Sequence, residues 1–250
     1  MNKTLQPELG LLYPHWPAPS NVRAFVTTRE AGPSQGAYAH FNLAEQVGDN
    51  PLTVAACRKR LQQEAGGRPL NWLNQVHTAQ VATGYLMGAE ADAAVANSSD
   101  YACVVLTADC LPVFFCDAQG SKVAVAHAGW RGLAAGVLEN TVKALEVDPS
   151  QILAWLGPAI GARVFEVGPE VRQAFMEGHP DAAAAFVPSP YRLKHYMADL
   201  YRLATQRLQQ AGVEQVFGGN FCTLTDAERF YSFRRDGQQT GRMASVIWLD

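Results

Sequence analysis

Three apolar runs follow one another in the middle of the chain with short breaks: residues 101–107 (YACVVLT), 112–116 (PVFFC) and 122–126 (KVAVA). The first is almost wholly apolar and rich in β-branched residues, the pattern of a strand buried on both faces. A chain with such strands must build layers on both sides of them, which pushes polar chemistry to the strand ends. The chemistry-bearing residues fall there. His77 (in NQVH), Cys110 (in LTADC) and His127 (in AVAHAGWRG) each lie at or just past the end of an apolar run. If the runs are neighbouring strands, two imidazoles and a thiol converge at one sheet end. That set is either a metal site or a Cys–His nucleophile, and both imply an enzyme.

The flanking sequence supplies more elements. Residues 1–20 hold four prolines and read as an irregular arm, and 22–27 as a strand. Asp49-Asn50-Pro51 offers a cap and a proline at the first helical position, for a helix with Val54, Cys57 or Arg58, and Leu61 in one stripe, stopped by Gly66-Gly67. Residues 70–87, including NQVH, read as strand material. Residues 132–147 read as one helix with Leu133, Val137, Thr141 and Leu145 inward, 152–156 as a strand, 169–177 as a short helix and 197–211 as an amphipathic helix. The tail reads as a hairpin around Asp236-Gly237. Strands and helices mix without strict alternation, which favours an α+β fold with helices outside layered sheets. With no repeat and no linker, residues 21–250 are expected to form one domain.

Composition narrows the functional classes. Net charge is −3 over 250 residues, with no basic cluster beyond Arg58-Lys59-Arg60 and Arg234-Arg235, so nucleic-acid binding has little electrostatic support. The first residues lack the apolar core of a secretory signal, and no uncharged run approaches membrane-spanning length. Five cysteines, an odd number with no CxxC pair, suit reduced thiols, so a cytoplasmic protein is expected. Nothing in the sequence bears on oligomeric state.

Among the cysteines, Cys103 sits inside a strand and Cys57 on a helix, as small hydrophobes do. Cys110 stands apart because it lies at a break, beside Asp109. His127 opens AGWRG, where Gly129 and Gly132 leave backbone N–H groups free to face a ligand and Arg131 adds charge; the turn is a candidate anion site, though it lacks the P-loop ending. Gln75 and Asn42 are candidate polar contacts for a base or ribose, and Arg234, Arg235 and Arg242 candidate pocket residues, although solvated charge is the commoner state of such arginines. The ligand spacings, 33 and 17 residues, are not those of a zinc finger. Two imidazoles and one thiolate nevertheless suit Zn²⁺ with a fourth position open.

NQVH, TADC followed by LPV, and HAGWRG, in that order, resemble the signature of the YfiH-type laccase-domain family, once called multicopper polyphenol oxidases. TTREAG, FNLAEQVGDNP, LGPAIG, FEVGPEV and FYSFRRDGQQTGR fit the same order, so the resemblance spans about residues 20 to 250. One departure is Ala39-His40-Phe41-Asn42-Leu43, where the family more often has a Ser-Leu-Asn-Leu type sequence. The resemblance implies a layered α/β/β/α fold with mixed sheets. It implies a catalytic zinc held by His77, Cys110 and His127. It also implies purine nucleoside chemistry: phosphorolysis of adenosine, inosine or S-methyl-5′-thioadenosine, deamination of adenosine, and in bacteria a role in peptidoglycan editing.

The laccase label can be tested on the residues. The chain has six histidines and no His-x-His pair, too few to ligate four coppers, although a single copper is chemically reasonable at a His₂Cys site. The His-x-Glu and Pro-Cys-x-x-Cys motifs of classical zinc deaminases are absent, so any deamination would run on another scaffold. Phosphorolysis would use phosphate held by the Gly129–Gly132 turn and Arg131. The alternative is an amidase in which Cys110 attacks and a histidine serves as base, with Asp109 orienting the histidine or capping the turn. A third reading, metal binding without turnover, needs a fourth ligand such as Cys116 or Cys222.

Overall fold

The structure, a computed structural model, describes residues 9–250. Its strands are β1 (Leu11–Leu12), β2 (Val22–Thr27), β3 (Leu70–Asn71), β4 (Val81–Thr83), β5 (Ala93–Ala96), β6 (Ala102–Thr107), β7 (Leu111–Asp117), β8 (Val123–Ala128), β9 (Ile152–Leu156), β10 (Glu166–Val167), β11 (Phe186–Pro188), β12 (Tyr196–Ala198), β13 (Gln215–Gly218) and β14 (Met243–Leu249). Its helices are α1 (Pro51–Glu64), α2 (Trp130–Ala135), α3 (Val137–Leu145), α4 (Pro169–Met176), α5 (Leu200–Gln210) and α6 (Phe233–Asp236).

Two mixed sheets stack face to face. One has the order β1-β2-β14-β6-β3 and the other β13-β9-β7-β8-β5-β4; a small sheet β10-β12-β11 stands beside them. Alternation along β6 shows why the layers form. Cys103 and Val105 point into the core between the sheets, against Phe114, Cys116 and Val125, while Ala102 and Val104 face Cys57 and Leu61 of α1. The outer face of the second sheet, with Phe115, Ala124 and Ala126, packs on Leu138 and Val142 of α3 and on Leu203 and Leu208 of α5. The result is the α/β/β/α order. Each fully buried Phe or Leu in it contributes ~1.5–3 kcal/mol.

The three central runs form strands, but not in one sheet. β7 and β8 are antiparallel neighbours in the second sheet, whereas β6 lies in the first, between β14 and β3. The chain therefore crosses between layers through Ala108, Asp109 and Cys110. The expected convergence at one sheet end is replaced by a crossover between two sheets.

Other expectations change for local reasons. Residues 70–87 hold only the short β3 and β4, and NQVH is loop. The helix expected over 132–147 is broken at Gly136 (φ 95°), into the six-residue α2 and the nine-residue α3. Leu133, Val137, Thr141 and Leu145 are buried on both sides of that break, so periodicity does not reveal it. Helix α5 starts at Leu200, with the Asp199 carboxylate accepting from Arg202 N, and the preceding Met197 and Ala198 belong to β12. No hairpin forms around Asp236-Gly237: β14 is flanked on both edges by β2 and β6, which leaves no edge for a local partner, and 233–236 makes one helical turn capped by Ser232. Of the arm expected over 1–20, residues 1–8 lie outside the described residues, and Leu11–Leu12 pairs with Thr27 and Val26. The α1 helix matches its reading: Asn50 caps it through Leu52 N, and Val54, Cys57 and Leu61 are buried. Among the described residues, no helix is long and apolar enough to cross a membrane.

Candidate active site

The crossover sets Cys110 beside His127, and the NQVH loop brings His77 to them. Their ligand atoms all lie within 4.8 Å of one another, and the two imidazoles meet edge to face at 4.8 Å between centroids. His127 lies one residue inside the end of β8, not past it, and is buried; Cys110 is partly exposed and His77 exposed.

The residue that assembles this group is Asp92, which sequence reasoning overlooked. It is fully buried just before β5. His127 Nδ1–H donates to its Oδ1 at 2.8 Å, and its Oδ2 accepts from Val76 N, Thr78 N and the Thr78 hydroxyl. One carboxylate thus orients His127, leaving Nε2 free for the cluster, and grips the loop on both sides of His77. A hydrogen-bonded carboxylate behind a ligating imidazole is the usual outer support of a metal site. Its signal in the sequence was an acid at the head of an apolar run, in EADAAVA.

Gln75 holds the same loop from its other end. Its Nε2 donates to Leu106 O at 2.9 Å and its Oε1 accepts from Leu106 N at 2.7 Å, which fixes the amide against β6 at the cleft wall. These anchors hold His77 in the left-handed region (φ 62°), a conformation that costs ~1–3 kcal/mol elsewhere.

Charge in the group is strongly coupled. Burial pushes the Cys110 thiol up, but the charge of His127 and hydrogen bonds from His127 and His77 outweigh it and bring it down to about 6. Burial pushes His127 down, yet the Cys110 thiolate and the Asp92 carboxylate hold its proton and raise it to about 9. Asp92 itself, despite burial, is pulled to about 2 by His127 and the Thr78 amide. Both shifts favour a thiolate beside an imidazolium when no metal is bound.

Gly129, the residue before α2, packs directly on this cluster: a Cβ there would lie 2.8 Å from Cys110 Sγ and 3.3 Å from His77 Cδ2. Asp109 touches neither histidine. Its carboxylate accepts from the Thr223 and Ser232 hydroxyls and from Arg234 N, tying the C-terminal segment to the crossover. Asn42 is fully buried and does not line the cleft. Its amide serves Ala44, Asp49 and Arg242 N, which excludes it as a direct ligand contact.

The cluster opens into a cleft of about 1110 Å³, walled by Trp72, Leu106, Trp130, Phe165 and Phe233 and by the arginines Arg58, Arg131, Arg234 and Arg242. Arg235 is not among its walls; it pairs with Asp236.

A sequence family described as multi-copper polyphenol oxidoreductase laccase matches residues 23–250. The Escherichia coli K12 protein named purine nucleoside phosphorylase YfiH is 52% identical over 244 residues, covering 96% of this chain and 98% of the relative. A Haemophilus influenzae protein named purine nucleoside phosphorylase is 46% identical over 241 residues, covering 95% and 98%. The crystal structure of a Neisseria meningitidis protein superposes with a TM-score of 0.92 at 49% identity, covering 96% of this chain and 99% of that one. The chain belongs to the YfiH-type laccase-domain family.

The family's laccase description can be set against the donors present. Among the described residues, His77, Cys110 and His127 form the one group of three or more His, Cys, Asp or Glu side chains close enough to share a metal, so a multicopper site has no ligands here. Neither Cys116 nor Cys222 joins the group: Cys116 is buried in β7, and the Cys222 sulfur accepts from Gly161 N. The three donors fit a single ion. Two imidazoles and a thiolate, with donor atoms all within 4.8 Å of one another, suit zinc with a fourth position open.

Proposed function

We propose that this cleft is the active site of a purine nucleoside phosphorylase that holds a zinc ion through His77, Cys110 and His127. The observation that carries the reading is the three-donor cluster, oriented from behind by Asp92, at the base of a cleft with aromatic walls and several cations. The similarity to proteins named purine nucleoside phosphorylase supports the substrate class. Three protein donors leave a fourth position open, where a bound zinc supplies Lewis acidity. Copper is the alternative ion for a His₂Cys set.

In phosphorolysis a phosphate oxygen forms a bond to C1′ of the ribose as the C1′–N9 bond breaks. The electron pair goes to the purine, which takes up a proton, and the products are ribose 1-phosphate and the free base. The residues here supply what that exchange needs. Trp72, Trp130 and Phe233 offer flat apolar surface for the base, and exposed Arg131 at the rim adds positive potential that draws phosphate in. Adenosine, inosine and S-methyl-5′-thioadenosine are the candidate substrates, and hydrolytic deamination of adenosine is a second candidate reaction of the same site.

The test is chromatographic. Zinc-loaded protein is incubated with each nucleoside, with and without phosphate, beside a Cys110→Ala control. Phosphate-dependent free base, or phosphate-independent inosine from adenosine, lost in the variant, supports the reading. No product from intact protein sinks it.

One observation favours a second reading. Cys110, His127 and Asp92 stand in the relation of nucleophile, base and orienting acid, with the thiol already ionised near neutrality. In a metal-free enzyme these residues would attack an amide carbonyl, as in editing of a cell-wall precursor. Metal content separates the two: stoichiometric zinc that supports activity excludes a free thiolate nucleophile.

A further inference from the structure

Four arginines line the cleft, and they are not equivalent. Arg58 is neutralised by Glu45 at 2.7 Å and stacks over Trp72. Arg131 is exposed and lies over the Trp130 ring at 4.4 Å. It follows Gly129 at the start of a helix of only six residues, so the long helix dipole expected to help that turn hold an anion is missing.

Arg242 and Arg234, like Arg131 and unlike Arg58, form no ion pair among the described residues. The Arg242 guanidinium is half-buried against Phe233, and its Nη1 reaches only the carbonyls of Thr240 and Gly241. Burial weakens its hold on its proton, while the charges of Cys110 and Asp109 act to restore it, which places it within electrostatic reach of the cluster. A partly desolvated cation with no anionic partner is costly, and a bound anion would remove that cost.

Both arginines are also held in place. Arg242 N donates to Asn42 Oδ1 at 3.0 Å, and Arg234 N donates to Asp109 Oδ2 at 2.7 Å. Asn42 and Asp109 are buried, and each is tied by further hydrogen bonds to its own surroundings. Two buried polar side chains thus fix the backbone of two arginines whose charges face the cleft. The neighbouring Thr107, in register with Met243 and on the cleft wall, has a buried hydroxyl without a partner.

We propose that Arg242, with Arg234 beside it, is the anion subsite of the cleft and binds inorganic phosphate, with Arg131 acting only at the rim. The identity of the anion as co-substrate rests on the phosphorylase reading; the subsite does not. Asn42 and Asp109 are positioning residues for it.

The test measures phosphate binding to the zinc-loaded protein by titration calorimetry, beside the KM for phosphate and for nucleoside. Arg242→Gln is expected to weaken phosphate binding by about tenfold or more, the loss of a charge-assisted contact, with the nucleoside KM moving little. Arg242→Lys should recover part of it, and Arg131→Gln should weaken binding less than Arg242→Gln. Arg234 is exposed, so Arg234→Gln serves if Arg242→Gln fails to fold. Phosphate binding that is absent at millimolar concentration, unaffected by the Arg242 and Arg234 variants, or lost chiefly in Arg131→Gln overturns the proposal. Arg242-dependent phosphate binding without base release from any nucleoside would sink the phosphorylase reading and leave the subsite standing.

Discussion

Replacing Gly129 with alanine should damage the site while sparing the fold. Gly129 has φ −62° and ψ 160°, a conformation any residue adopts, so alanine meets no backbone strain. Its reduced freedom in the unfolded chain stabilises by about 0.4–1 kcal/mol. Against that, the new Cβ would lie 2.8 Å from Cys110 Sγ, which is 0.6 Å short of the 3.4 Å where ordinary contact begins, and it would also press on His77 Cδ2. Overpacking of this kind costs ~1–3 kcal/mol. The two effects partly cancel, and in a chain of this size each kcal/mol moves the Tm by only about 2–4 °C. The sulfur, however, must move by about the ~0.5 Å within which a site has to be held. Gly129→Ala should therefore melt within several degrees of the parent yet bind zinc ~10–100-fold more weakly, the range seen when a ligand's support is disturbed. Competition against a chromophoric chelator reads the affinity, and calorimetry the melt. Parental zinc affinity in a folded variant would refute the claim that this contact sets the sulfur position, and so would wholesale unfolding.

Two further predictions concern the same cluster. Asp92→Asn removes the charge behind His127 and loosens the grip on the His77 loop; zinc affinity should fall ~10–100-fold, and unchanged affinity would remove Asp92 from the site. In protein stripped of metal, the lowered Cys110 pKa means that thiolate persists into mildly acidic solution. Alkylation of Cys110 by iodoacetamide should rise through about pH 6 and be flat by about pH 8, whereas a midpoint near the ordinary thiol value would refute the thiolate–imidazolium pair. Peptide mapping isolates the signal from Cys222, while Cys57 and Cys116, pushed up to about 11 and about 12 by burial, stay unreactive.

What could be read in advance depended on how local its cause was. The α1 helix was legible to its cap because Asn50, Pro51 and Gly66 act within a turn of their own positions. The break at Gly136 was not, because the inward stripe continues across it and a lone glycine does not announce a left-handed residue. The tail misled for the opposite reason: Asp236-Gly237 is a good local turn signal, overridden when β14 is paired on both edges by strands distant in sequence. In the site, His77, Cys110 and His127 stood out as donor types at the ends of apolar runs. Asn42 and Gln75 did not reveal their roles, since a buried amide serving the backbone and an amide serving a ligand look the same in a sequence.

The sequence by itself determined the layered class of fold and the three donors, because burial patterns and ligand chemistry are properties of the residues themselves. Only the tertiary structure decided that the donors meet at a crossover between two sheets, that Asp92 stands behind them, and that Asn42 fastens the backbone of Arg242. Those facts depend on contacts across 35 residues between Asp92 and His127 and 200 between Asn42 and Arg242. No local pattern encodes such distances; packing of the β-layers sets them.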